Sequence, residues 1–590
     1  MPKINNENKS NNKNNNHKTN KDKESNRKNK NNGNDSEIQH WADKVAFEVK
    51  QRIDRDPRLK EIYKKNGVIV YDEKTPSGVI HIGSGRGWII HDAIAKALKS
   101  NGMKAKFILS SDDMDPYDKP NKELDRTWDK YLGMPFRNIP SPVKGYQSFA
   151  DYYFSQVTEK FGEFGIDAEL ESTGEQYING AFNPMIKFIL DNHEKVQKTY
   201  SDLYGDIDAS EKIPFNVICP KCGKIATTLA TNWDKEKELL YFECKDGVVE
   251  WADGCGHKGE ISPYDGNGKF PWKVEWAAKW PTKNVIVEYA GKDHFTQGGS
   301  RTFACKLATD LIKYPSPYPS DGYRTGRGYE FFTIGGAKMS TSKGKGFGFR
   351  EAAEMIPPKI LRFLLVKTRP KTVIDFDPYN TNDLILLFDR YDKAERIYFG
   401  EAEGKSESTI KNQKRIYELS HVGEIPKKLP LQISLSFAGM VMQTALNDKD
   451  KAIEILKEMG HLPEKATNIE LEPVVERLEF AKKWIDEFAT DDYKFQLVEK
   501  VTKKVDKKVK KMILELAELL KKKKYEEKTL FEEFYNLCQK HNIENKEFFK
   551  AVYMILINKE KGPRLAPFIL TIGQIKVAQL LDQVKTIIYN

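Results

Sequence analysis

Two short stretches hold the residues best suited to chemistry. The first, Thr75-Pro-Ser-Gly-Val-Ile-His-Ile-Gly-Ser-Gly-Arg-Gly87, lies between an apolar run, Gly67-Val-Ile-Val-Tyr71, and a helical pattern from Trp88 to Ser100. Glycines at a strand-to-helix turn let backbone amides approach a phosphate, and the positive end of the helix dipole then faces the anion. His81 adds a ring donor there. The second, Gly335-Gly-Ala-Lys-Met-Ser-Thr-Ser-Lys-Gly344, is a flexible glycine lead followed by lysines and hydroxyls, which suits a mobile loop closing on polyphosphate. A Gly-rich turn alone is often only a tight connection. Two such segments together point to a triphosphate site split across the sequence.

The cysteines suggest a different kind of site. Four of the six fall at Cys219, Cys222, Cys244 and Cys255. In a long chain without secretory features this clustering indicates metal rather than disulfides. A Cys-x-x-Cys pair plus two further thiolates satisfies tetrahedral zinc, and four protein ligands leave no open position for catalysis. His257 competes with Cys255 as the fourth ligand. Cys305 and Cys538, in apolar helical contexts, read as buried thiols.

The elements positioning these residues follow from hydrophobic periodicity. After the Gly87 turn, Ile89, Ile90, Ala93, Ile94, Ala97 and Leu98 share one helix face, Asn101-Gly102 stops the helix, and Lys104–Ser110 reads as a strand. Strand, turn, helix and strand make a βαβ unit, hence a parallel sheet with ligands at the carboxyl ends of its strands. Asp112, Asp113 and Asp115 fall on that edge and suit a substrate ammonium or a metal-bound water, or else helix capping and loop solvation. Helices are expected over Tyr146–Phe164 and Pro184–Tyr200, with Phe149, Tyr153 and Phe154 in the core. Trp272, Trp276 and Trp280 fall on one helix face, as core or as a cation-binding wall. A strand from Asn284 leads to Asp293 and His294, and Gly298-Gly-Ser-Arg301 opens a helix whose N-terminus suits an anion. From Phe349 the pattern is helical, with a linker and short helices over 404–440. A seam follows at Val501, Val505, Val509, Met512, Leu516 and Leu519, flanked by lysines.

Composition sets the outer bounds. A chain of 590 residues holds several domains. Net charge is +10, which favours an anionic partner without requiring one. No run approaches the ~18–20 apolar residues of a membrane span, and the N-terminus lacks an apolar signal region, so a cytoplasmic protein is expected. Residues 1–36 hold nine Lys/Arg against four Asp/Glu and almost nothing apolar. Such a segment is expected to be a disordered low-complexity tail rather than a dedicated RNA-binding arm.

Pro76-Ser-Gly-Val-Ile-His-Ile-Gly83 and the loop from Lys338 resemble the HIGH and KMSKS signatures of class I aminoacyl-tRNA synthetases. With Gly291-Lys-Asp-His294, Gly299-Ser-Arg301 and the inserted cysteine module, the chain resembles the class I lysyl-tRNA synthetases, mainly archaeal, from about Gln39 to Asp377 and more loosely beyond. The resemblance implies an α/β fold: a Rossmann-like class I catalytic domain with a parallel sheet, a small zinc-binding insertion and an all-α C-terminal anticodon-binding region. The corresponding divisions are a tail at 1–36, catalytic halves at 37–210 and 270–348, an insertion at 211–269, a stem-contact region at 349–400 and an anticodon-binding domain at 401–590. It also implies ATP with Mg²⁺, structural Zn²⁺, L-lysine and tRNA(Lys) as ligands, and a monomer.

By the same resemblance His81 and Lys338 are catalytic. ATP contacts fall to Pro76, His81, Gly83, Ser84, Gly291, Asp293, Lys338, Ser340 and Ser342, and lysine contacts to Thr75, Trp272, His294 and Tyr329. Two positions depart from the signatures. Ser84 replaces a second histidine, and Thr341 replaces a lysine, leaving the loop's charge to Lys338 and Lys343. The alternatives are a glutamyl- or arginyl-type class I enzyme, a small-molecule nucleotidyltransferase of the same superfamily, and a zinc-containing RNA-binding protein without catalysis.

Overall fold

The computed structural model describes residues 40–121, 123–205, 211–338, 347–379, 381–502 and 505–586. The 1–36 tail expectation and the roles assigned to Ser340 and Ser342 lie outside these residues, as does the side chain of Lys338.

The apolar run becomes β1 (Val68–Lys74), buried over its first four residues. An unbroken apolar stretch suits a strand covered on both faces. β2 (Ala105–Ser111) and β3 (Ala168–Ser172) extend the sheet on one side, and Val285–Val287 pairs with β1 on the other, all parallel. The carboxyl ends of β1, β2 and Val285–Val287 therefore open onto one edge.

The helix after β1 starts at Ile82, not Trp88, with His81 as its N-cap. Gly83, Gly85 and Gly87 are thus helical rather than a loop. Their lack of a side chain admits neighbours. A Cβ at Gly85 would lie 2.5 Å from the Phe349 ring, and one at Gly87 would lie 2.8 Å from the Tyr329 hydroxyl. Likewise Gly335 and Gly336 are not a flexible lead. With φ +54° and +74° they form the two-residue turn of a hairpin joining Phe332–Ile334 to Ala337–Lys338. Thr333 and the Gly336 amide both donate to Asp375 Oδ1, at 2.8 and 2.9 Å, fixing the hairpin to the Ile374–Asp375 strand.

Other boundaries differ locally. The chain ahead of β1 forms two helices, Trp41–Arg55 and Pro57–Asn66, divided at Asp56, which caps the second with Pro57 at its start. The Tyr146–Phe164 expectation shrinks to Phe149–Thr158, begun by the Ser148 cap, and Phe149 and Tyr153 are buried as expected. Pro184–Tyr200 divides into Asn183–Leu190 and His193–Tyr204. Within 404–440 lies a full helix, Glu407–Ser420, capped by Ser406. In the C-terminal seam Leu520 is buried, whereas Leu519 is only partly covered.

The core beneath the sheet continues through the helices to Ala489, and a second apolar core unites residues 501–584. A three-stranded antiparallel sheet, Thr228–Asp234, Leu239–Cys244 and Lys258–Ile261, carries the cysteine module. Among the described residues no single helix is long and apolar enough to cross a membrane.

Candidate active site

At the carboxyl edge of the parallel sheet lies a cavity of about 400 Å³, lined by Asp72, Glu73, Lys74 and Thr75 after β1, by Asp112 and Asp115 after β2, and by Glu288 to Ala290 after Val285–Val287. The helix Trp272–Lys283 closes it with Trp272, Glu275 and Trp276, and His294 completes the wall. The volume falls within the range of small-molecule sites, about 300–1,000 Å³. A larger cleft of about 710 Å³ lies among the helices beyond Pro357. On its lining Arg477 pairs with Asp392 and Lys359 with Glu476.

The cavity floor is a buried ionic network. Lys269 Nζ donates to Asp112 at 2.8 Å and Asp115 at 2.6 Å and reaches Glu275 at 3.2 Å. Lys279 reaches Glu275 at 2.6 Å and also pairs with Glu73. Four carboxylates thus share two ammonium groups, an excess of acid facing the cavity. Burial pushes the Glu73 carboxyl up to about 8. Burial and the neighbouring Asp112 push Asp115 up to about 7. Burial opposes charge on Asp112 as well, but pairing with Lys269 and Lys279 outweighs it and holds that group below the usual range. Of the acidic cluster, Asp112 (5% exposed) and Asp115 (side chain about a fifth exposed) face the cavity, whereas Asp113 does not line it and instead caps the helix Thr173–Ile178, accepting from the Gly174 amide at 2.7 Å and pairing with Arg137. Thr75 donates to Asp115 Oδ2 at 2.9 Å.

The wall is aromatic. Trp272 and Trp276 stack at 6.0 Å, and the His294 ring meets them edge-on at 5.9 and 5.4 Å. Burial lowers the His294 pKa. Trp276 and Trp280 both donate to Glu288 Oε2, at 2.7 and 2.8 Å. The Arg301 side chain, near the expected anion-binding helix N-terminus, is committed to the interior instead. It is fully buried against both indoles and donates to the same Glu288 oxygen at 2.6 Å. Trp280 is therefore core, while Trp272, 44% exposed, is wall.

The first signature segment, whose Thr75 lines this cavity, meets the chain that flanks the second. Ile82 N donates to Phe347 O at 3.2 Å and Phe349 N to Ile80 O at 2.8 Å, so His81 sits against the chain that follows the 339–346 stretch. On the other side of that stretch the Lys338 backbone pairs with Thr333. Arg86, buried within the first signature, donates to the carbonyls of Glu330, Phe331, Arg369, Pro370 and Thr372 at 2.6–3.1 Å. It thereby joins the His81 helix to the base of the Lys338 hairpin. Tyr329 packs against Gly87 near Asp72, and Gly291 and Asp293 flank His294 on one short helical turn.

Against known families, residues 39–423 match the description "tRNA synthetases class I (K)". The chain belongs to this family. Residues 439–584 of the synthetase match an anticodon binding domain. Full-length relatives agree. A lysine–tRNA ligase of Methanosphaera stadtmanae is 29% identical over 547 residues, spanning 91% of this chain and 98% of that protein. Those of Thermococcus kodakarensis and Treponema pallidum are each 31% identical, with 91% and 92% of this chain and 98% of each relative covered.

The synthetase's four clustered cysteines also converge. Their Sγ atoms all lie within 4.8 Å of one another, Cys219 to Cys255 at 3.6 Å and Cys222 to Cys244 at 3.7 Å. Zinc–sulfur bonds of about 2.3 Å in a tetrahedron place sulfurs roughly 3.8 Å apart, so the donor set fits zinc. The Cys255 amide donates to Cys244 Sγ at 3.4 Å. The His257 ring is outside the cluster, edge-on to Phe242, and the residue serves the site through its backbone, its carbonyl accepting from the Cys244 amide and its amide donating to the Cys255 sulfur.

Sequence reasoning misses Glu73, Lys269, Glu275, Lys279 and Arg86. Glu275 and Lys279, four apart on a helix, look like an ordinary surface pair. Trp276 is visible within the tryptophan run, but nothing in the spacing ranks it beside Trp272.

Proposed function

We propose that the chain is a lysine–tRNA ligase that activates L-lysine with ATP and transfers it to the 2′-hydroxyl of the terminal adenosine of tRNA(Lys). The observation that supports this reading most directly is the acid-floored, tryptophan-walled cavity at Thr75, the first residue of the His81 segment. Carboxylates in excess of their resident lysines suit a substrate ammonium, and the exposed Trp272 face with Trp276 gives it a cation–π wall.

In the first half-reaction the lysine carboxylate oxygen attacks the α-phosphorus of ATP. An oxygen–phosphorus bond forms, and the bond to the pyrophosphate oxygen breaks. In the second, the 2′-oxygen attacks the lysyl carbonyl, its proton is lost, and AMP departs. Such transfers depend on positioning and charge stabilisation more than on covalent catalysis. Thr75, Trp272, His294 and Tyr329 hold the amino acid, joined by Asp115 of the acidic cluster and by Glu73 and Trp276. Pro76, Gly83 and Ser84 shape the nucleotide site at the helix N-terminus, Gly291 and Asp293 face the ribose, and Ser340 and Ser342 shape the closing loop. His81 and Lys338 stabilise the charge building on the α-phosphate and the leaving pyrophosphate. Charge on the triphosphate would be partly neutralised by Mg²⁺ bound with it. The four thiolates of Cys219, Cys222, Cys244 and Cys255 hold a structural zinc.

Lysine, arginine and glutamate, compared in ATP–pyrophosphate exchange with and without tRNA, test the assignment. Exchange and charging are expected with lysine alone. Exchange with arginine or glutamate but not lysine would sink it.

A further inference from the structure

Beyond Tyr379 the described residues leave only two Phe, Tyr or Trp side chains exposed, Phe531 at 45% and Tyr535 at 38%. They lie four apart on the helix Glu527–His541, outside the inner face that packs Leu530, Phe534, Leu537 and Cys538. The two rings meet edge-on at 5.0 Å, one continuous aromatic ledge in water. A hollow of about 220 Å³ opens at Phe531, with Phe549, Arg564 and Pro567 along its sides. The Arg564 side chain is 83% exposed and touches Glu527 at only 3.4 Å. Lys528, three residues before Phe531 and on the same face, is exposed as well. A ring face with a guanidinium and an ammonium at its margin is the chemistry of a nucleobase stack with adjacent phosphates. An apolar protein partner needs neither flanking cation.

We propose that Phe531 and Tyr535 form a stacking ledge for one unstacked base of the tRNA anticodon loop, with Arg564 and Lys528 contacting the flanking phosphates. This rests on the reading that the chain charges a tRNA, and on residues 439–584 matching an anticodon binding domain.

The test uses the full chain and a tRNA(Lys) transcript, with affinity measured by filter binding at several salt concentrations and lysine-dependent charging measured at saturating tRNA. Phe531→Ala is expected to weaken binding on the order of 10- to 100-fold. Phe531→Tyr should keep near-normal affinity and Phe531→Leu should not, because stacking needs a ring. Arg564→Gln should flatten the logarithmic salt dependence by about one. Charging at saturating tRNA should survive in all four variants. Unchanged affinity in Phe531→Ala, or full rescue by leucine, overturns the ledge while leaving the ligase assignment intact. Wild-type protein that neither binds nor charges tRNA overturns both.

Discussion

Up to Ser420 the chain buries arginines, lysines and acids, whereas beyond it the described residues bury a single polar side chain, Thr571. Arg86, Arg301 and Arg362 in the first region are each at most 1% exposed. Arg86 and Arg362 brace chain segments distant in sequence, and Arg301 joins neighbouring ones. Arg362, for example, ties Asp92 to the carbonyls of Phe164 and Leu419. Desolvating such groups costs several kcal/mol per ion, and apolar packing often stabilises as well or better. Their concentration around the catalytic sheet therefore reflects a need for fixed charges and fixed geometry. The C-terminal helices meet no such need. They pack an apolar core and leave their charges and aromatic ledge outside, where a macromolecule can reach them.

Breaking the catalytic charge alone should have the largest effect. Lys338→Ala is expected to reduce lysyl-adenylate formation about 10²- to 10³-fold, with tRNA affinity nearly unchanged, as pyrophosphate exchange and filter binding would show. An equal loss in both assays would mean that the two regions are not separable. Next comes stability. Arg301→Met strands Glu288 in the core and should cost about 3–5 kcal/mol, against under about 1.5 kcal/mol for Leu516→Met in the C-terminal core. Urea titrations that find the two equal would erase the contrast. Zinc should matter only locally. Chelation or Cys222→Ser should take metal content from about one equivalent to none and open residues 211–269 to protease, leaving cleavage of residues 501–584 unaltered.

The smallest expected effect is on pH. Glu73 and Asp115 hold protons in the folded chain, at about 8 and about 7, that the unfolded chain releases near the ordinary values of 4.5 and 3.8. Their contribution to stability is complete below those unfolded values and is lost as pH rises through about 7 and about 8. Substrate binding runs the other way, since an incoming ammonium favours the ionised carboxyls. KM for lysine should fall severalfold as pH rises through this window, while tRNA affinity should change little. A pH-independent lysine KM would remove Glu73 and Asp115 from the ammonium site.

What can be read from the sequence follows the same division. The βαβ unit, the cysteine set and both signature segments are visible because each is local: a period, a spacing or a run of small residues. Asp112 and Asp115 stand out as a cluster at a strand end, but Lys269, which neutralises them, comes from a two-residue strand, Gly268–Lys269, that closes the insertion. No local pattern marks it. Gly85 and Gly87 look like turn residues because nothing nearby in the chain shows that Phe349 and Tyr329 will press against that helix. Of the candidate site, the anion-binding half is legible and the ionic floor of the amino-acid half is not.

β1 gains its partner on one side within a few dozen residues, from β2, and on the other only with Val285–Val287. Some two hundred residues, including the whole cysteine module, leave the ribosome in between. At typical synthesis rates that interval is roughly 10–40 s. During it an apolar strand stands with one edge unpaired, an edge that templates aggregation unless covered. The position of the cysteine module within the chain thus sets how long the nascent protein must be shielded, so its translation makes a demand on chaperones that the finished fold no longer displays.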